Sequence, residues 1–457
     1  MKGFEFLENY GNNICLYKSE DEKLTYRQVA EKSDRIVSNL PVKSLFALDF
    51  YPTISCITAY LGALRNNHVV LLVDPLLDES LKNRILDNFN ITILFNGQEW
   101  LNRKVIDKVS YQINPDLSIL LSTSGSTGSP KLVKLSKKNL TANANSIVSY
   151  MKLSSSDRAI SSLPLHYSYG LSILNSHLNI GASFYLTESP VTSQVFWKFF
   201  KENNITGLAG VPTTWRILRK LYFERMKLPS LRLVTQAGGK LSKEEVIWLS
   251  NIGNANKYKV FIMYGQTEAT ARISYLEPKM TIEKAGSIGK AIPGGELYLE
   301  NEREEVITAS NLEGELIYKG DNVMMGYALM ASDLSKGSNL KELKTGDLAK
   351  RDEDGFYWIT GRKKRFIKLY GNRISLDDVE EFIQNRDIES SVFGIDDNLY
   401  VAILKKDNIN IEDLRDEISK FYSIHFSTIT IIKIESIPKS SSGKILYKEL
   451  ENLIKIT

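Results

Sequence analysis

Leu117-Ser118-Ile119-Leu120-Leu121 runs directly into Ser122-Thr123-Ser124-Gly125-Ser126-Thr127-Gly128-Ser129-Pro130-Lys131, an apolar run followed by a serine- and glycine-rich stretch that ends on a lysine. The first part reads as a buried strand and the second as the loop that leaves it. Glycines let the backbone turn its N–H groups toward an anion, the hydroxyls add donors, and Lys131 adds a positive charge. That is phosphate-binding chemistry; taken alone, the segment also reads as a flexible polar linker. It is not the common P-loop, which ends in Gly-Lys-Ser/Thr and opens a helix directly, because Ser129-Pro130 separates Gly128 from Lys131.

Outward from this stretch the chain alternates helix and strand. Apolar residues fall at helical spacing over Thr25 to Val37, and Ser44 to Phe50 reads as a buried strand. Ile54 to Leu64 (helix), Val69 to Val73 (strand), Leu81 to Phe89 (helix) and Ile91 to Phe95 (strand) continue the pattern. Further strand-then-helix units lie between Arg158 and Leu249. The expected class is α/β, with parallel-rich sheets covered by helices. After Gly286 short apolar runs separated by Gly, Asn and Asp predict a small β-rich section. Beyond Arg362-Lys363-Lys364-Arg365 a compact α+β segment is expected. The predicted division is therefore a large N-terminal domain over 1–363 and a small C-terminal domain over 364–457. Lys363 and Arg365 are expected in a solvated turn.

Composition narrows the class. The 457 residues are 43% hydrophobic and 25% charged, as in globular chains, and no apolar run is long enough to span a bilayer. The N-terminus carries acids where a secretory signal carries bases, so a cytoplasmic location is expected. The only two cysteines, Cys15 and Cys56, lack metal-ligand spacing and read as small apolar side chains. A net charge of +4 gives no indication of nucleic acid.

Six motifs occur in one order: Ser124 to Lys131; Tyr264-Gly265-Gln266-Thr267-Glu268; Gly314-Glu315-Leu316; Thr345-Gly346-Asp347; Gly361-Arg362; and Pro438-Lys439-Ser440-Ser441-Ser442-Gly443-Lys444. In these, over almost its whole length, the chain resembles the acyl-adenylating (AMP-binding) enzyme superfamily of acyl-CoA synthetases, 4-coumarate-CoA ligases, luciferase and peptide-synthetase adenylation domains. The resemblance implies ATP and Mg2+ as cofactors and two-step chemistry. A carboxylic acid first displaces pyrophosphate from ATP to give acyl-AMP, and a thiol of CoA or of a carrier-protein phosphopantetheine then displaces AMP.

It also implies residue roles. Thr123, Ser124, Gly125, Ser126, Thr127, Gly128 and Lys131 would hold phosphates. Ala237, Gly238, Gly239, Tyr264 and Gly265 would line the adenine and acyl pockets, and Asp347 and Arg362 would hold the ribose, with Asp347 expected in a turn before Gly355. Thr267 would bond a phosphate, and Glu268 would be the metal ligand, since a hard cation on ATP takes one or two carboxylates. Lys444 would be the catalytic lysine, balancing charge between the carboxylate and the α-phosphate. Lys364 would be the hinge of a mobile C-terminal domain whose rotation withdraws Lys444 and brings Lys368 and the segment 371–374 to the thiol.

Three features depart from the common pattern. In Leu163-Pro164-Leu165-His166-Tyr167-Ser168-Tyr169-Gly170-Leu171, which resembles the acid-pocket motif, Tyr167 stands where histidine is common, and His166 lies one residue earlier. The predicted acid-binding residues are His166, Tyr167, Tyr169 and Gly238. No aspartate lies between Pro164 and Leu174 to pair with a substrate ammonium, so a non-amino acid is expected. The segment between Val392 and Leu404 is short, which leaves CoA and a carrier protein as alternative acceptors. A stand-alone adenylation enzyme loading a carrier or an amine is the competing enzyme. A nucleotide-binding scaffold without turnover is the competing non-enzyme, opposed by intact Lys444, Glu268 and Asp347.

Overall fold

Leu117–Ser122 is a strand buried from Leu117 through Leu121. In the computed structural model the residues described are 3–103, 112–122, 131–338, 340, 342–363, 365–369, 372–384, 386–395, 398–407, 409–422, 424–440 and 445–455. Leu117–Ser122 pairs in parallel with Val69–Val73, which pairs in parallel with Leu45–Asp49, and this in turn with Ile93–Phe95. These inner strands are covered on both faces, which is why they are near-continuous apolar runs.

The sheet is not wholly parallel. Leu132–Ser136 returns antiparallel beside Leu117–Ser122, Gly326–Ala328 extends that edge, and Trp100–Asn102 closes the other. Residues 123–131 are too few for the crossover that a parallel neighbour needs, so an antiparallel return is the available topology. Two further sheets follow the alternation predicted from sequence. In one, Gly207–Gly210, Leu233–Gln236 and Lys259–Tyr264 are parallel, and Ser274–Leu276 and Lys290–Ala291 extend them antiparallel. In the other, Arg158–Ile160 and Ser183–Tyr185 run parallel.

Helix starts follow local chemistry. Thr25 with Gln28, Ser136 with Asn139, and Ser242 with Glu245 form reciprocal caps at the helices Tyr26–Val37, Lys137–Met151 and Lys243–Asn256. The second of these was not among the expected helices, although its cap is a local signal. No helix among the described residues is long and apolar enough to cross a membrane. Both cysteines are buried and free.

The chain divides into two compact units, one within 1–123, 129–297 and 318–343, the other within 298–317 and 344–457. The β-rich section forms a four-stranded sheet in the order Gly295–Glu300, Glu313–Gly320, Leu343–Arg351, Tyr357–Arg362. The C-terminal part holds the hairpin Phe366–Leu369 with Asn372–Ser375, the helices Leu376–Gln384 and Ile411–Tyr422, and a sheet of Ser390–Ile395, Asn398–Leu404 and Ile429–Ile434. Val379, Ile383, Val392, Val401, Leu414 and Ile418 build its core.

One expectation fails here: Arg365 is not a solvated turn residue. Its guanidinium lies 3.0 Å from Asp377 and 3.2 Å from Glu380, donates to the Val392 carbonyl at 2.8 Å, and packs 3.9 Å from the Tyr447 ring centroid. Two carboxylates on the helix Leu376–Gln384 outweigh the local preference of a basic run for water. Lys363 behaves as expected, half exposed, with an ion pair of 2.7 Å to Glu315.

Candidate active site

The strand Lys259–Tyr264 ends where its neighbour in the sheet turns back, with Tyr264 opposite Ser274. Gly265 lies at the tightest point, and a Cβ there would fall inside the carbonyl oxygen of Ala271 and 3.0 Å from the Arg272 Cα. Only glycine fits, which is the physical content of the Tyr-Gly pair. Gly265→Ala is expected to cost more than about 3 kcal/mol, because backbone cannot step aside as a side chain can. A urea unfolding midpoint unchanged from wild type would contradict this.

After Gly265 the chain makes a short 3-10 turn, Thr267–Ala269, and Thr270 takes a left-handed conformation with φ of 64°. Asn322, 3% exposed, ties the turn down by donating to the carbonyls of Ala269 and Arg272, both at 2.8 Å. The Glu268 carbonyl accepts from Met324 N–H at 2.9 Å. Thr267 touches Ser168 at 3.3 Å. With its backbone held from both sides, the Glu268 carboxylate accepts a hydrogen bond from the Tyr327 hydroxyl at 2.8 Å. Lys131 lies over the same ring, its ammonium 3.3 Å from the centroid. Burial and the neighbouring carboxylate push the Tyr327 phenol well above the usual tyrosine range, so it stays a donor.

Sequence reading missed Tyr327. It sits 59 positions from Glu268, and only the antiparallel pairing of Gly326–Ala328 with Leu132–Ser136 brings it between Glu268 and Lys131. Among the described residues no group of three or more His, Cys, Asp or Glu could hold a metal ion. A single oriented carboxylate fits a magnesium ion that takes its remaining ligands from nucleotide phosphates and water.

Gly238 follows the strand Leu233–Gln236 with φ of 80°, and a Cβ there would meet the Tyr167 hydroxyl at 2.6 Å. Gln236 holds this turn by donating to the Gly239 carbonyl at 2.7 Å. Tyr167 caps the helix Ser168–Leu178, and Tyr169 in its first turn is buried, with its hydroxyl 2.8 Å from the Thr235 hydroxyl. Three of the predicted acid-site residues, Tyr167, Tyr169 and Gly238, therefore belong to one patch. Burial pushes the Tyr167 phenol up to about 12, against the pull of the Arg272 charge. The His166 Nε2 lies 3.5 Å from Asp74. Burial pushes its imidazole below the ordinary range, with Asp74 opposing, so it is neutral at pH 7 and offers no cation to a carboxylate.

In the second unit Asp347 is not in a turn. It lies within the strand Leu343–Arg351, opposite Arg362 of Tyr357–Arg362, 2% exposed, with its carboxylate 2.8 Å from the Arg362 Nε. The local turn preference of Thr-Gly-Asp gives way to the ladder, while the Arg362 side chain remains 60% exposed. Such a pair presents a fixed carboxylate beside a movable donor. Asp347→Ala is expected to weaken ATP binding by about 1–3 kcal/mol through lost charge-assisted bonds, and calorimetry at wild-type affinity would remove the ribose role. Lys368 lies on the strand Phe366–Leu369. Thr123, Ser124, Gly125, Ser126, Thr127, Gly128, Lys364 and Lys444 lie outside the described residues.

A strand-end carboxylate and the lysine that follows the serine- and glycine-rich segment of the sequence thus share one tyrosine. The family model described as AMP-binding enzyme matches residues 103–328. The chain is 29% identical to oxalate–CoA ligase of Arabidopsis thaliana over 75% of this chain and 68% of that protein. It is 24% identical to 2-succinylbenzoate–CoA ligase of Geobacillus sp. over 96% and 94%. Its fold matches O-succinylbenzoate coenzyme A synthetase of Bacillus subtilis, solved with ATP and magnesium, with a TM-score of 0.81 at 22% identity, covering 98% of this chain and 99% of that one. Residues 103–328 thus match the AMP-binding enzyme family, and the chain is similar over most of its length to CoA ligases.

Proposed function

We propose that the protein is an AMP-forming acid–thiol ligase that activates a non-amino carboxylic acid with ATP and passes the acyl group to CoA. The observation that carries the reading is the arrangement of Glu268, Tyr327 and Lys131, which sets a metal-seeking carboxylate and a phosphate-seeking cation on either side of one phenol. A carboxylate cannot acylate a thiol directly, because its leaving group would be oxide. One of its oxygens attacks the α-phosphorus, the bond to the pyrophosphate oxygen breaks, and acyl-AMP results. The thiol sulfur then attacks the acyl carbon and AMP leaves, while the thiol proton passes to solvent.

Lys131 and the residues 123–128 would bind the phosphates, and Asp347 and Arg362 the ribose. Magnesium held by Glu268 would supply charge for the departing pyrophosphate. Lys444 would neutralise the approach of carboxylate to phosphate. We assign residues 364–457 as the mobile domain, with Lys364 as hinge and Lys368 on the face turned to the thiol in the second step. The tight pairing of Ser390–Ile395 with Asn398–Leu404 leaves little extra surface there, and this keeps a phosphopantetheinylated carrier as the alternative acceptor. A cytoplasmic location fits the supply of ATP and thiol.

Acid-dependent exchange of labelled pyrophosphate into ATP tests the first step. Thioester formation with CoA and with a pantetheinylated carrier separates the acceptors. ATP binding without exchange for any acid in a broad panel would leave a nucleotide-binding scaffold instead.

A further inference from the structure

Arg272 is 2% exposed, and its Nε has no hydrogen-bond partner. Other buried or half-buried cations of the same unit are matched. Lys82 lies 2.7 Å from Asp49, Arg232 3.0 Å from Asp157, and Arg65 2.8 Å from Asp34, while Lys134 donates to the carbonyls of Asp333 and Lys336 at 2.8 and 2.9 Å. Among the described residues no carboxylate pairs with Arg272. Its guanidinium stands 4.0 Å from the ring centroid of Tyr169 and shares a side-chain hydrogen bond with the Tyr150 phenol, a neutral partner; its charge also acts on Tyr167, and all three phenols are raised first of all by burial and drawn back by the arginine.

A cation over a ring recovers only part of the hydration that a buried charge loses. A lysine here could shed its proton, but a guanidinium cannot. The missing negative charge therefore has to arrive with a ligand. The cluster adjoins the acid patch, since Tyr169 meets Tyr167 edge-on at 6.3 Å and the Tyr167 hydroxyl closes on Gly238. The one histidine predicted for that patch lies 3.5 Å from Asp74, and burial pushes its imidazole below the ordinary range.

We propose that Arg272 binds a second anionic group of the substrate, so that the enzyme activates one carboxylate of a dianionic acid, in the simplest case a dicarboxylate. This rests on the reading of the site as acid-activating, and makes Arg272 a specificity residue. The test uses matched acids, succinate against butyrate, adipate against hexanoate and phthalate against benzoate, with wild type, Arg272→Met and Arg272→Lys. Pyrophosphate exchange and melting temperature are both read.

Wild type is expected to favour one diacid over its monoacid by about 100-fold in kcat/KM. Arg272→Met should erase that ratio mainly through KM, and Arg272→Lys should restore part of it. Without ligand the Met variant should melt about 2–4 °C higher, because an unpaired buried charge is gone, and diacid should raise the melting temperature of wild type alone. Equal use of monoacid and diacid by wild type, with a Met variant that melts lower and loses both alike, would make Arg272 structural and overturn the inference. If the Met variant fails to fold, the diacid-to-monoacid ratio of the Lys variant decides. Diacid stabilisation that needs Arg272, without exchange for any acid, would keep the anion site and overturn the ligase reading. Neither exchange nor stabilisation would overturn both.

Discussion

Lys444→Ala is expected to lower acyl-adenylate formation by about a thousandfold while ATP still binds and supplied acyl-AMP is still consumed by thiol. The lysine is needed where carboxylate and α-phosphate, both negative, approach each other, and a charge used mainly in the transition state is lost from the rate rather than from binding. The described residues before and after Lys444 are anchored. Lys439 forms a β-bridge with Ile445, the Leu446 N–H donates to the Pro438 carbonyl at 2.9 Å, and Lys439 pairs with Glu389 at 2.8 Å. The helix Tyr447–Lys455 then begins with Tyr447 held 3.1 Å from Glu380. Removing the ammonium alone should therefore leave the domain folded. Pyrophosphate exchange reports the first step, and AMP release from acyl-AMP plus thiol the second. Equal loss in both would end the assignment.

Glu268→Gln is expected to cut the rate of adenylation by about two orders of magnitude and to raise the magnesium concentration needed for half-maximal rate. Glutamine keeps the shape and can still accept from Tyr327, so the loss isolates the charge. Tyr327→Phe should show a smaller effect of the same kind, about tenfold, because it frees the carboxylate without removing it. If Tyr327 acts through Glu268, the double variant should be little worse than Glu268→Gln alone. Additive losses would mean that Tyr327 works on Lys131 or the nucleotide independently, and an unchanged magnesium titration in Glu268→Gln would take the metal away from this residue.

Much of the fold was legible because its signals are local. The strands Leu45–Asp49 and Val69–Val73 are apolar runs, and the helix Ile411–Tyr422 carries its own periodicity. Asp347 was expected in a turn and lies in a strand, since Thr-Gly-Asp obeys turn propensity until a partner strand is present. Arg365 was misread for the same reason: a basic run looks solvated when the acids that bury one of its members, Asp377 and Glu380, come later in the chain.

By itself the sequence determined the class of chemistry. Lys131, Glu268, Asp347, Arg362 and Lys444 stand in motifs whose order is a one-dimensional property, and glycines such as Gly265 mark close approaches before those approaches are seen. The tertiary structure alone decided which residues meet. Tyr327 reaches Glu268 through an edge strand, His166 lies beside Asp74, and Arg272 is buried among tyrosines with no carboxylate paired to it among the described residues. Spacing encodes local backbone form, whereas the partner of a side chain, and so its charge and role, is set by segments that only packing brings within a few ångströms.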